Sequence, residues 1–172
     1  MNDATLTLNG TRPSVRLERR LPDPPEVVWL ALTEREQLRE WFPCDVEVAG
    51  GHWEVGAAIV FRFPADVMDM TLSGEVLAVN EPKGLTYTWG DEVLSFELHN
   101  EGDGTRLVLT DELAPGFAAR NAAGWEECLD RLVGAPPNEQ SWSARFQAYT
   151  NAFEPVVGPQ EGPPAAYKGK LS

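Results

Sequence analysis

Apolar and polar positions alternate with period two in some stretches of the chain and with period 3.6 in others. Val15, Leu17, Arg19 and Leu21 alternate with Arg16, Glu18 and Arg20, which predicts a strand with one mainly apolar face. Asp23-Pro24-Pro25-Glu26 follows. Asp at an N-cap, proline in the first turn and Glu three residues on predict a capping box and a helix over Val27–Leu32. Thr33-Glu34-Arg35-Glu36 predicts a second box and a second short helix, ending near Trp41-Phe42-Pro43. Strand patterns then cover Asp45–Val48, Ala57–Phe63, Leu72–Val79, Leu85–Trp89, Val93–His99 and Thr105–Leu113. Gly50-Gly51, Glu81-Pro82-Lys83-Gly84, Gly90-Asp91 and Glu101-Gly102-Asp103-Gly104 supply turn chemistry between strands, so the sheet is expected to be antiparallel. After Pro115-Gly116 the period lengthens. Ala122, Trp125, Leu129, Leu132 and Val133 fall at helical spacing, and past Gly134-Ala135-Pro136-Pro137 so do Trp142, Phe146, Tyr149 and Phe153.

An antiparallel sheet with one apolar face needs a cover, and the C-terminal helical region is the only element long enough. The expected fold class is α+β. Its architecture is a helix grip: a curved antiparallel sheet of about six or seven strands wrapped around a long C-terminal helix, with two short helices after the first strand. Such a sheet leaves a natural ligand cavity between itself and the helix. Residues 1–13 read as a loose arm, because Pro13 interrupts the return of the hairpin begun by Thr5-Leu6-Thr7-Leu8. Residues 14–157 read as the domain, and residues 158–172, with three Gly, three Pro and few aliphatic side chains, as a flexible tail.

At 172 residues the chain has the length of one domain, and six Trp, three Tyr and seven Phe exclude disorder. Charge narrows the partners. A net charge of −13, with 11 Arg, 3 Lys and one cluster (Arg16, Arg19, Arg20) diluted by Glu18, excludes a phosphate-binding surface, so nucleic acid is not expected. The longest apolar run, Ala57–Phe61, is far short of a membrane span, and the N-terminus lacks a signal-peptide pattern. A cytoplasmic location without membrane insertion is the expectation. Cys44 and Cys128 form no C-x-x-C motif.

Several collinear stretches together resemble the activator-of-Hsp90-ATPase-homologue-like family, within the START-related, birch-pollen-allergen-like (SRPBCC) superfamily. They are Pro24-Pro25-Glu26-Val27-Val28-Trp29, Leu38-Arg39-Glu40-Trp41-Phe42, Gly74-Glu75-Val76-Leu77, Glu81 through Trp89, Gly104-Thr105-Arg106-Leu107 and Gly124 through Leu132. The resemblance implies a helix-grip domain with a hydrophobic cavity. Superfamily members bind lipids, hormones and polyketides, and some catalyse cyclisation or hydrolysis. The eukaryotic chaperone activator carries a further N-terminal domain that the 14 residues before the first strand do not supply. Many relatives carry histidine where this chain has Asp111.

The residues themselves offer few catalysts. His52 and His99 are the only histidines, and no H-E-x-x-H, G-x-S-x-G or P-loop pattern occurs, so neither metal nor organic cofactor is expected. Parity places His99 outward, opposite Leu94, Phe96 and Leu98, and His52 after a turn near the cavity mouth. The same parity turns Phe61, Phe63, Tyr87, Trp89, Phe96 and Leu109 inward, toward Trp125 and Leu129 of the helix. These are the candidate pocket residues. Packed core is the ordinary reading for most of them, and Tyr87 and Trp89 are preferred as wall because a buried O–H or N–H needs a partner. Asp111 continues the inward row of Leu107 and Leu109. At a frayed strand end it would reach solvent or cap the next loop, the ordinary outcome; among aromatics its pKa would rise and it could exchange a proton with a ligand. Asp66-Val67-Met68-Asp69-Met70 reads as a loop, with Met plugging the core or forming a pocket lip. The expected function is binding of a small hydrophobic or amphipathic ligand. A cofactor-independent cyclase or hydrolase using Asp111 or His52, a chaperone-cofactor module and a homodimer stay open.

Overall fold

In the computed structural model, which describes residues 3–8, 10–136 and 140–164, eight strands form one antiparallel sheet. In chain order they are β1 (Thr5–Thr7), β2 (Ser14–Leu21), β3 (Asp45–Val48), β4 (Ala58–Arg62), β5 (Thr71–Asn80), β6 (Gly84–Trp89), β7 (Glu92–Glu101) and β8 (Gly104–Glu112). The spatial order is β1-β2-β8-β7-β6-β5-β4-β3, so β2 crosses from one edge to pair with β8 while β3 to β8 form a meander. Helices α1 (Pro25–Thr33) and α2 (Arg35–Trp41) span the crossover, and α3 (Ala118–Leu132) and α4 (Trp142–Val157) follow the last strand. The C-terminal cover is thus two helices in succession. α3 packs against β2 and α2, and α4 packs against α3.

The inward rows are buried as their parity predicts. Val15 and Leu17 of β2, Leu85 and Tyr87 of β6, Leu94 and Phe96 of β7 and Leu107 and Leu109 of β8 join one core with Ala122, Trp125 and Leu129 of α3. Register fixes the arrangement: Leu17 opposes Leu109, Leu109 opposes Phe96, and Phe96 opposes Leu85.

Three details differ from expectation. Neither capping box forms. Pro24 is the N-cap of α1, and Pro25, buried at the first helical position, has no N–H to satisfy. Thr33 instead donates its hydroxyl to the Trp29 carbonyl at 2.8 Å and closes α1, while Glu34 begins α2. The arm is not loose, because β1 pairs with Ser14–Arg16, beyond the interrupting proline. The Ala4 N–H also donates to the Tyr149 hydroxyl of α4 at 3.0 Å, and Arg19 bridges Asp3 and Asp130 at 2.6 and 3.1 Å.

The near half of the expected tail is likewise tied down, by polar groups. The Gln160 side chain accepts from the Ala119 N–H of the first turn of α3 and donates to the Pro115 carbonyl, both at 2.9 Å. The Glu161 N–H donates to the Gly116 carbonyl at 2.8 Å. Residues 165–172 of the expected tail lie outside the described residues. Arg35 and Arg39 reach from α2 to Asp45 of β3, and among the described residues Arg39–Glu36 is the only ion pair within the helix.

Candidate functional site

The aromatic rows meet one another where a hollow was expected. Phe61, Tyr87 and Phe96 are fully buried, with Phe61–Tyr87 and Tyr87–Phe96 centroids 5.9 and 6.0 Å apart. The filling comes from α2 and the residue after it. Trp41 sits edge-on to Phe96 at 6.1 Å, and the Phe42 ring lies 5.5 Å from Trp125, 6.1 Å from Trp89 and 6.2 Å from Phe61. Leu109 and Leu129 are completely buried in the same core. Among the expected wall residues, Phe61, Tyr87, Phe96, Leu109 and Leu129 are therefore packed core.

Trp89, Trp125 and Phe63 remain at open space, which lies at one end of the grip. A mostly apolar pocket of about 150 Å³ is bounded by Trp89 from the end of β6, by Asn121, Gly124 and Trp125 from α3, and by Trp142 from the start of α4. Pro163 and Pro164 border it from the tied-back chain, and Arg120 lines it from the first turn of α3. The Trp89 and Trp125 rings are 5.1 Å apart. A second, larger groove of about 520 Å³ shares Pro43, Gly124, Cys128 and Trp142 with the pocket and continues past Phe63 and Met68. The two spaces form one trough along α3. Met68 is buried and also borders the groove, so it serves both roles considered for that loop.

Gly124 is central to the trough. A Cβ built there meets no heavy atom within 4 Å, so the missing side chain is room along α3. Glycine in a helix interior costs about 0.5–1 kcal/mol relative to alanine. A glycine inside an otherwise helical pattern is the signal that could have marked this position from sequence.

Behind the pocket wall lies a buried acid pair. Asp111 is wholly inaccessible, not at a frayed end, because β8 stays paired on both sides through Glu112. Asp111 Oδ2 accepts from Trp125 Nε1 at 2.9 Å and from Asn121 Nδ2 at 3.0 Å. Asn121 Nδ2 also reaches both carboxyl oxygens of Glu92, at 2.5 and 3.1 Å. Burial raises the Asp111 pKa, opposed by hydrogen bonds from Glu92, Asn121 and Trp125. Burial, the Asp111 charge and a hydrogen bond to Asp111 all raise Glu92, which is therefore the proton carrier of the pair. Glu92 and Asn121 escaped the sequence reading because a Glu beginning a strand and an Asn on a helix look like solvated positions.

Other candidates fall away from the trough. His99 is exposed beside Glu97, 3.3 Å from its carboxylate, and His52 is exposed after the Gly50-Gly51 turn. Both cysteines are buried free thiols; burial pushes Cys128, which borders the trough, up to about 11, so it is no ready nucleophile. Among the described residues no group of three or more His, Cys, Asp or Glu could hold a metal ion, and no helix is long and apolar enough to cross a membrane.

The family model described as activator of Hsp90 ATPase homolog 1-like protein matches residues 23–135, which hold α1 through α3. The chain belongs to this family. No curated protein matches it. Among solved structures it is similar to a conserved protein of unknown function from Enterococcus faecalis, with 24% identity over 89% of this chain and 91% of that one, at a TM-score of 0.74. It is also similar to CalU16 from Micromonospora echinospora, with 24% identity over 90% and 94% of the two chains, at 0.66. A protein from Mesorhizobium loti matches with 27% identity over 70% and 94%, at 0.59. These likenesses carry the helix-grip fold of the family and leave the function to be argued from the site.

Proposed function

We propose that this chain binds a small planar, apolar or amphipathic molecule in the trough along the Gly124 face of α3. The observation that carries the reading is the pocket itself: two indoles, Trp89 and Trp125, beside a helix position with no side chain. A volume of about 150 Å³ suits one aromatic ring; an apolar cavity of ~150 Å³ takes up benzene. The adjoining groove past Phe63 and Met68 has room for the rest of a larger ligand. A ring burying ~150 Å² gains ~4 kcal/mol at ~25 cal/mol per Å², about millimolar affinity before the costs of association. Tighter binding needs the groove or a polar anchor. An acid–base enzyme has less support, because Asp111 and Glu92 lie behind Asn121 and Trp125 and both histidines are exposed.

The experiment is calorimetric titration with naphthalene-based ligands, comparing wild type with Gly124→Leu. A leucine there projects into the trough, so the variant keeps or raises its melting temperature and loses at least ten-fold in affinity. Unchanged affinity in a folded Gly124→Leu protein would place binding elsewhere and refute the reading.

A further inference from the structure

We propose that the molecule this trough takes is an aromatic carboxylate, its ring against Trp89 and Trp125 and its charge on Arg120. The inference rests on the binding reading above and adds the chemical class of the ligand. Arg120 borders the pocket from the first turn of α3. Its guanidinium is fixed in place: the carbon lies 4.2 Å over the Phe117 ring, Nη1 donates to the Gly162 carbonyl at 3.3 Å, and Nε donates to Asn121 Oδ1 at 3.4 Å. Both acceptors are neutral and both bonds are long. Among the described residues, Nη2 has no protein acceptor and no carboxylate comes within 4.0 Å of the group.

Two of the three acidic groups in its field are otherwise engaged. Glu92 carries the proton of the acid pair, and Asp111 Oδ2 is taken by Asn121 and Trp125. Glu161 acts on Arg120 only through space. A half-buried cation at a helix N-terminus is also poorly placed with respect to the helix dipole, whereas an anion beside it would satisfy both guanidinium and dipole. The cost of holding Arg120 away from water, visible as a pKa lowered by burial, is recovered when that anion arrives. The overall charge of −13 opposes anions at long range. At physiological ionic strength that field is screened beyond ~8 Å, and the contacting guanidinium decides. Arginine in a rigid fork suits the two oxygens of a carboxylate.

The test titrates the full chain at pH 7.5 with 2-naphthoate and with 2-naphthamide, which share ring and shape and differ in charge. The carboxylate binds at least ten-fold more tightly, and Arg120→Gln abolishes the difference. In wild-type protein, the Arg120 Nε–H resonance moves with the acid and not with the amide, a readout that survives if the variant fails to fold. Equal wild-type affinities, a preference that persists in folded Arg120→Gln, or an unmoved Nε–H resonance would overturn the charge assignment and leave the trough standing. Failure of both ligands to bind at 10 mM, about the weakest affinity a buried ring should show, would overturn the trough and the anion together.

Discussion

The buried acid pair ties stability to pH in a way one substitution can isolate. An unfolded Glu loses its proton near 4.5, whereas in the fold Glu92 is pushed up to about 10 by burial, by the Asp111 charge and by its hydrogen bond to Asp111. Because the folded pKa is raised, this contribution to stability is fully present below pH 4.5 and declines as pH rises, until Glu92 ionises near 10. Between pH 7 and 9 the native state holds one proton that the unfolded chain lacks, a slope of ~1.36 kcal/mol per pH unit, or ~2.7 kcal/mol over the interval. Glu92→Gln keeps the shape of the protonated acid, with an N–H donor toward Asp111 and an oxygen toward Asn121, and has nothing to titrate. The difference in unfolding free energy between wild type and variant should therefore shift by about 2.7 kcal/mol in favour of glutamine from pH 7 to pH 9. Titrating groups remote from Glu92 cancel in that difference, and Asp111, whose pKa of about 6 leaves it ionised across the interval, faces a donor in both proteins. Urea unfolding followed by the six tryptophans measures it at each pH. Parallel pH profiles for the two proteins would show that Glu92 enters the fold ionised and would refute the proton assignment.

Two further outcomes separate core from wall. Phe61→Ala removes a fully buried ring among Phe42, Tyr87 and Trp89 and should cost about 3–5 kcal/mol in urea unfolding, where a hollow behind it would have softened the loss. The two glycines Gly74 and Gly124 should respond oppositely to alanine. A Cβ at Gly74 would stand 2.1 Å from the Thr88 carbonyl oxygen and 2.8 Å from a Phe61 ring carbon, so Gly74→Ala should destabilise by about 1–3 kcal/mol. Gly124→Ala meets nothing and should stabilise α3 by about 0.5–1 kcal/mol, read as a rise in melting temperature.

Period-two alternation in β6, β7 and β8, with turn residues at each corner, made the meander and its inward face legible, because each strand's side-chain direction follows from the backbone alone. The same reasoning missed β1 for a specific reason. Pro13 lacks an N–H, but the pairing begins at Ser14 and never needs one. It missed the anchoring of residues 158–164 because that segment has no apolar stripe and is held by the Gln160 amide and by main-chain bonds.

The site shows the deeper limit. Parity says which face a side chain takes and nothing of how far the facing layers stand apart, so Phe61, Tyr87 and Phe96 read equally well as wall or as core. What decides is whether something enters between the layers. Here Trp41 and Phe42, delivered by the short helix α2, occupy that space, and the opening moves outward to the next place along α3 where a side chain is missing. Trp89 and Trp125 remain at the edge of the filled core because each has one side against Phe42 and the other against the trough. Trp125 also donates its N–H to Asp111, so the ring facing the trough is oriented by the buried acid pair. Ligand wall and proton-holding core thus share two side chains, Asn121 and Trp125. Ionising Glu92 should reach the pocket first through Asn121, which contacts both, and then through the tilt of the Trp125 indole.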